Sequence, residues 1–201
     1  MSITNNIQTL LGQTDIYLID QIMKGRYMPG DVILDAGCGA GRNLHWFLNN
    51  GFNIFGIDED DEAVNSLLLK YPGISKERIK VSKIENSGFA KNFFDHIICS
   101  AVLHFAESRE HFDNLIAEIA RVVKPGGTVF IRMTSDIGIE HKISSVGDGV
   151  YLIPDGSTRF LLTKMHVAGF MHRYGFTYLE PLKTVNVDDQ RCMSTLMLQK
   201  Q

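Results

Sequence analysis

The stretch 32–43, Val-Ile-Leu-Asp-Ala-Gly-Cys-Gly-Ala-Gly-Arg-Asn, restricts what this chain can become more than any other part of it. An apolar run suited to a buried strand ends in an acid, Asp35. Glycines follow at Gly37, Gly39 and Gly41, and a helical pattern starts at once with Leu44, Trp46, Phe47 and Leu48. That order predicts a strand, a tight turn and a helix. Glycine permits a left-handed backbone and, lacking Cβ, lets another group lie against the main chain. The helix that follows begins with N–H groups free to meet anionic parts of a ligand. A turn that only packs a strand on a helix needs neither three glycines nor an acid, so the pattern predicts a ligand-binding turn in a parallel sheet.

The rest of the chain repeats the strand and helix alternation. Phe52-Asn53-Ile54-Phe55-Gly56-Ile57-Asp58 reads as a second strand ending in Asp58, about 20 residues beyond the glycine turn, where a carboxylate can accept hydrogen bonds from ribose hydroxyls. Glu59, Asp60 and Asp61 then form the acidic start of a helix over 61–71. Strands are expected at 78–84 and 93–100. A long amphipathic helix over 107–124 is stopped by Pro125 and Gly126-Gly127, and a fifth strand follows at 128–133. Ahead of all this, the first dozen residues are polar and expected to be loose at their start; residues 13–25 predict a helix with Thr14 as its cap. The tract 134–158 has no clear periodicity and holds five Gly or Pro residues, which suggests a functional or mobile segment. A helix over 161–174 and β-rich runs at 176–187 and 192–199, joined by Asp188-Asp189-Gln190-Arg191, predict a closing antiparallel hairpin.

With 201 residues, 44% of them hydrophobic, the chain can bury one full core and is short for two. The net charge of −3 and scattered basic residues predict neither a nucleic-acid partner nor a membrane surface. No apolar run approaches the roughly 20 residues of a membrane span. The first residues, Met-Ser-Ile-Thr-Asn-Asn, do not read as a signal peptide, so a cytoplasmic location is expected. Cys38, Cys99 and Cys192 show no paired spacing and the seven histidines are dispersed, so no disulfide framework and no metal are expected.

The Asp-x-Gly-x-Gly-x-Gly run at 35–41 resembles motif I of the class I S-adenosylmethionine (SAM) dependent methyltransferases, and the likeness continues from about residue 17 to the C-terminus. Phe93-Phe94-Asp95-His96-Ile97 resembles the family's fourth strand, and Lys124-Pro125-Gly126-Gly127 its turn into strand five. The resemblance implies SAM as cofactor, held by Asp35, Ala36, Gly37, Cys38, Gly39 and Arg42 of the turn. It also implies Asp58 and Glu59 at the ribose, Ile84 and Glu85 at the adenine, Ser100 beneath the sulfonium, and Arg26 or Tyr27 reaching the SAM carboxylate. Lys83 stands where the family has an acid. A lysine only donates, which leaves the adenine amino group to Glu85, Asn86 or the backbone. His104, in Ser100-Ala101-Val102-Leu103-His104-Phe105, is the histidine best placed to face a substrate as a base. Gly41-Arg42-Asn43, the Leu103-His104-Phe105 run and the late strand over 191–198 resemble the small TehB-like group linked to tellurite resistance.

The fold implied is α/β, a Rossmann-like, doubly wound, seven-stranded sheet, mostly parallel with a C-terminal antiparallel hairpin. One domain over 1–201 is expected: the helix at 13–25, the SAM-binding core at 30–134, an acceptor-side tract and lid at 134–158, and the helix and hairpin at 159–199. The function implied is methyl transfer to a small-molecule acceptor. Two alternatives stand beside it. A nicotinamide-dependent oxidoreductase would share the doubly wound logic, but it prefers G-x-G-x-x-G and a fully parallel sheet. A catalytically silent SAM-binding or partner-binding module would explain the weak base candidates. Neither the acceptor nor the oligomeric state is written in the sequence.

Overall fold

The computed structural model describes residues 3–201. In chain order the elements are α1 (Ile3–Leu11), α2 (Ile16–Met23), β1 (Val32–Ala36), α3 (His45–Asn49), β2 (Asn53–Asp58), α4 (Asp61–Lys70), β3 (Ile79–Val81) and β4 (Phe94–Ser100). They continue with α5 (Arg109–Val122), β5 (Val123–Ser135), β6 (Ser144–Gly147), β7 (Val150–Leu152), β8 (Thr158–Phe160), α6 (Lys164–Tyr174), β9 (Phe176–Tyr178), β10 (Lys183–Val187) and β11 (Arg191–Lys200). Two short 3-10 turns, Ile84–Asn86 and Leu103–Phe105, lie at either side of β4.

The main sheet runs β10-β11-β5-β4-β1-β2-β3, with β9 also on β11. β1 to β5 pair in parallel, and β11 lies antiparallel to β5. Chain order reverses at β1, whose neighbours are β2 on one side and β4 on the other, and a doubly wound sheet binds its ligands outside the carboxyl ends at such a point.

Successive side chains of a strand point to opposite faces, and each buried strand here feeds two cores. Leu34, Ile97, Ile131 and Leu196 pack with Phe112, Ile116 and Ile119 of α5 and Val167 and Phe170 of α6. Ile33, Ile98, Phe130 and Met197 pack on the other face with Leu18 of α2, Phe47 of α3 and Val64 and Leu67 of α4. The near-continuous apolar runs of the strands follow from being covered on both sides.

Several expectations change. Thr14 does not cap the helix: its hydroxyl turns back to the Leu11 carbonyl, and Asp15 caps α2 by accepting the Tyr17 N–H. A helix, α1, forms within the segment expected to be loose. The seventh position of the sheet is an edge made of two strands, β9 and β10, so eight strands fill seven places. Pro181 sits in the gap, where a residue without an N–H cannot continue the ladder. The aperiodic tract is partly ordered as a separate antiparallel sheet, β6-β7-β8, over a small core of Ile139, Ile153, Leu161 and Cys192. Among the described residues no helix is long and apolar enough to cross a membrane.

Candidate functional site

Pairing of β1 with β2 sets Ala36 opposite Ile57, so the glycine turn and the residue after Ile57 emerge side by side. The Gly39 N–H donates to Asp58 Oδ2 at 2.7 Å, and the Asp60 N–H donates to Oδ1 at 3.0 Å. Beside this junction opens a cleft of about 500 Å³. Its floor and walls come from the turn (Gly37, Cys38, Gly39, Ala40, Arg42), the tip of β2 (Asp58, Glu59), the segment after β3 (Ser82, Lys83, Ile84, Glu85) and the segment after β4 (Ser100, Ala101, Val102, Phe105).

The three glycines differ in what they permit. A Cβ on Gly37 would stand 2.2 Å from Val102 Cγ2, and one on Gly41 would stand 2.9 Å from Leu67 Cδ1, so these two allow close packing. At Gly39 the nearest atom would be Asp58 Oδ2 at 4.0 Å, which leaves the space above the turn open. Ala101 crosses the cleft with φ +64, a left-handed conformation that costs a residue with a side chain on the order of 1 kcal/mol or more. Its N–H is held by the Arg132 carbonyl at 2.7 Å.

Of the residues singled out in the sequence, Gly37, Cys38, Gly39, Arg42, Asp58, Glu59, Ile84, Glu85 and Ser100 line the cleft together. Asp35, Ala36, Arg26 and His104 are not in its lining. Ala36 points into the α5 core. Arg26 is drawn away by Gln21, to which its Nε donates at 2.6 Å, and by Glu180 at 3.6 Å. Lys83 and Glu59 face each other across 4.0 Å, both largely exposed, and Glu85 lies 3.7 Å from His111.

Asp35 is 1% exposed and both its carboxyl oxygens are buried without a hydrogen-bond partner. Burial pushes its pKa up to about 8; Arg42 opposes the rise and Asp58 adds to it. The group is protonated over much of the neutral range. His104 is buried, and the Thr134 N–H donates to its Nδ1 at 3.4 Å. The neutral ring therefore carries its proton on Nε2. Burial first, then Arg159, Arg132 and Arg191, lower its pKa to about 4. As arranged, the ring offers a donor, whereas a general base must accept.

Sequence reasoning missed a polar knot behind the cleft. Asp15 Oδ2 accepts from Arg132 at 3.1 Å and from the Ser100 hydroxyl at 3.3 Å, and the Asp15 N–H donates to Asn43 Oδ1 at 3.1 Å. The Arg132 guanidinium lies 5.1 Å over the Tyr17 ring. This ties the start of α2 to the tips of β4 and β5. A charged residue inside the apolar run of β5 was the available signal.

Comparison with known proteins gives a family match and several relatives. Residues 34–131 match a family model described as a methyltransferase domain. The chain is 36% identical over 102 residues to tRNA (carboxymethyluridine(34)-5-O)-methyltransferase of Arabidopsis thaliana, covering 51% of this chain and 24% of that one. It is 33% identical over 118 residues to ubiquinone biosynthesis O-methyltransferase of Dechloromonas aromatica, covering 56% and 48%. The chain thus spans a quarter of the first relative and about half of the second. In fold it is similar to a SAM-dependent methyltransferase of Methanosarcina mazei, with TM-score 0.73 and 20% identity over 89% of this chain and 96% of that one. Residues 34–131, just under half of the chain, thus match a methyltransferase domain, and the fold is similar to that of SAM-dependent methyltransferases.

Proposed function

We propose that the chain transfers a methyl group from SAM to a small-molecule acceptor. The observation that carries this reading is the Gly39 to Asp58 hydrogen bond at the adjoining tips of β1 and β2, beside an open cleft. An ionised carboxylate has about four acceptor positions, and those of Asp58 not used by Gly39 and Asp60 are available to a ribose diol. Ile84 supplies an apolar face for a purine, and Ser82, Lys83 and Glu85 supply polar edges around it. These residues fit an adenosyl group.

SAM when bound supplies an electrophilic methyl on a sulfonium, transferred by in-line displacement. The chain's part is to hold and to screen. Asp58 and the turn fix the nucleoside, while Ala101, Val102, Phe105 and Leu115 form an apolar wall that excludes water and shapes the acceptor's approach. His104, buried behind Phe105, packs against that wall, and the tract around β6-β7-β8 is the acceptor-side lid.

A net charge of −3 with dispersed basic residues supports a small acceptor. Likeness to a tRNA methyltransferase favours a second reading, in which RNA is methylated, so charge alone does not exclude a nucleic-acid partner. Incubation with SAM and either a panel of phenols, thiols and amines or a mixed tRNA pool separates the two. The expected result is enzyme-dependent S-adenosylhomocysteine (SAH) together with a methylated small molecule. Methylated tRNA alone would overturn the acceptor class, and thermal protection by NADH but not by SAH would overturn methyl transfer.

A further inference from the structure

Guanidinium charge is concentrated behind the cleft wall. Phe105 lines the cleft, is 60% exposed, and carries the Arg159 guanidinium 5.0 Å from its ring. The His104 ring stands 4.5 Å from that of Phe105 and takes the Thr134 N–H. Arg132 and Thr134, two residues apart on β5, share a face of that strand. β11 pairs Met193 with Thr134 and Cys192 with Ser135, which sets Arg191 at the end of the same ladder. Arg159 of β8 thus stands on the ring that packs against His104, and Arg159, Arg132 and Arg191 all disfavour the charged form of that histidine.

Among the described residues neither Arg159 nor Arg191 is held in a salt bridge, while Asp189, beside Arg191 in sequence, pairs with Lys142. Among the described residues Arg132 pairs with Asp15, while Arg159 donates to the Thr158 carbonyl. Asp155, which feels both Arg191 and Arg159, uses Oδ1 for the N–H and hydroxyl of Ser157. Arg132 Nε is buried without a partner. Arginine suits planar anions because its fork matches two oxygens at once.

We propose that this face receives a carboxylate or phosphate carried by the methyl acceptor, with Arg159 and Arg191 as its specificity-determining residues. The proposal rests on the methyl-transfer reading above and adds the acceptor's chemical class. An acceptor ring lies against Phe105 with its anion toward the two arginines. The same positive field favours the ionised form of an acceptor hydroxyl, so a strong protein base is unnecessary.

The test is calorimetric titration of 3,4-dihydroxybenzoate, phenyl phosphate and neutral 3,4-dihydroxybenzamide into the SAH-loaded protein. Either anion should bind about tenfold or more tighter than the amide. Arg159→Gln and Arg191→Gln should each remove most of that preference, and Arg159→Lys only part of it, with SAH affinity and melting temperature unchanged. Equal binding of acid and amide, or no binding of either acid to a protein that still binds SAH, overturns the proposal. Tighter binding of a stem-loop RNA, lost on the same two substitutions, assigns the arginines to a nucleic-acid backbone and overturns it as well. Failure of the wild type to bind SAH in the first titration removes the methyl-transfer reading, and the proposal with it.

Discussion

The sides of this sheet proposed for the cofactor and for the acceptor are built on different principles. On the cofactor side, β1, the glycine turn and β2 lie within one short stretch of chain, and the decisive contact is a backbone N–H to a strand-end carboxylate. On the acceptor side, His104, Arg132, Arg159 and Arg191 arrive from separate elements, and their arrangement depends on the pairing of β5 with β11 and the small sheet β6-β7-β8. The cofactor side is specified locally; the acceptor side is specified by long-range packing. Substitutions on the two sides should therefore differ in what they disturb.

The largest effect is expected at Asp35. Its folded pKa of about 8 lies above the unfolded value of 3.8, so the folded state holds a proton that the unfolded state has lost between those limits. Stability of the ligand-free protein should fall as pH rises from about 4 to about 8, by up to roughly 1.4 kcal/mol per pH unit, and level off above. Asp35→Asn should flatten this dependence in urea melts followed across pH. A wild-type profile that rises over the same window would contradict the buried, partnerless carboxyl.

Next is the knot that joins the two sides. Asp15→Ala leaves the partly buried Arg132 without its anion and removes the cap of α2, and should cost about 3 kcal/mol in urea unfolding. Asp15→Asn keeps the cap and should cost less. Equal losses would mean that the ion pair, and not the cap, carries the connection. Asp58→Ala comes third. It should weaken SAH binding by about 1.5–3 kcal/mol while leaving the far-UV circular dichroism unchanged. The smallest effect is reserved for the acceptor side seen from the cofactor: Val146→Ser on exposed β6 should move SAH affinity and stability by less than about 0.5 kcal/mol. A large loss of SAH affinity there would join the two sides into one cooperative unit.

This contrast also explains what was legible in the sequence. The strand, turn and acid at 32–43 and the second acid at Asp58 are period-two and glycine signals that need no distant partner. The sheet β6-β7-β8 was not legible, because Ser144–Gly147 is exposed throughout and carries no alternating apolar face. The broken edge at Pro181 was present as a proline inside a β-rich run. Its consequence lies in the Glu180 side chain, which binds Gln21, Lys24 and Lys183 and so fastens α2 to the sheet edge. His104 could be singled out by type and position as a base facing the substrate, but its burial, its tautomer and its arginine neighbours depend on contacts with other elements.

The proposed grip on the adenosyl cofactor is shared by the glycine turn and Asp58. Hydrogen–deuterium exchange with and without SAH reads both segments at once. Protection by SAH is expected only in peptides spanning 37–43, 58–60, 82–86 and 100–102, with none from NADH. Protection that omits the turn, or that NADH reproduces in the same peptides, would contradict it.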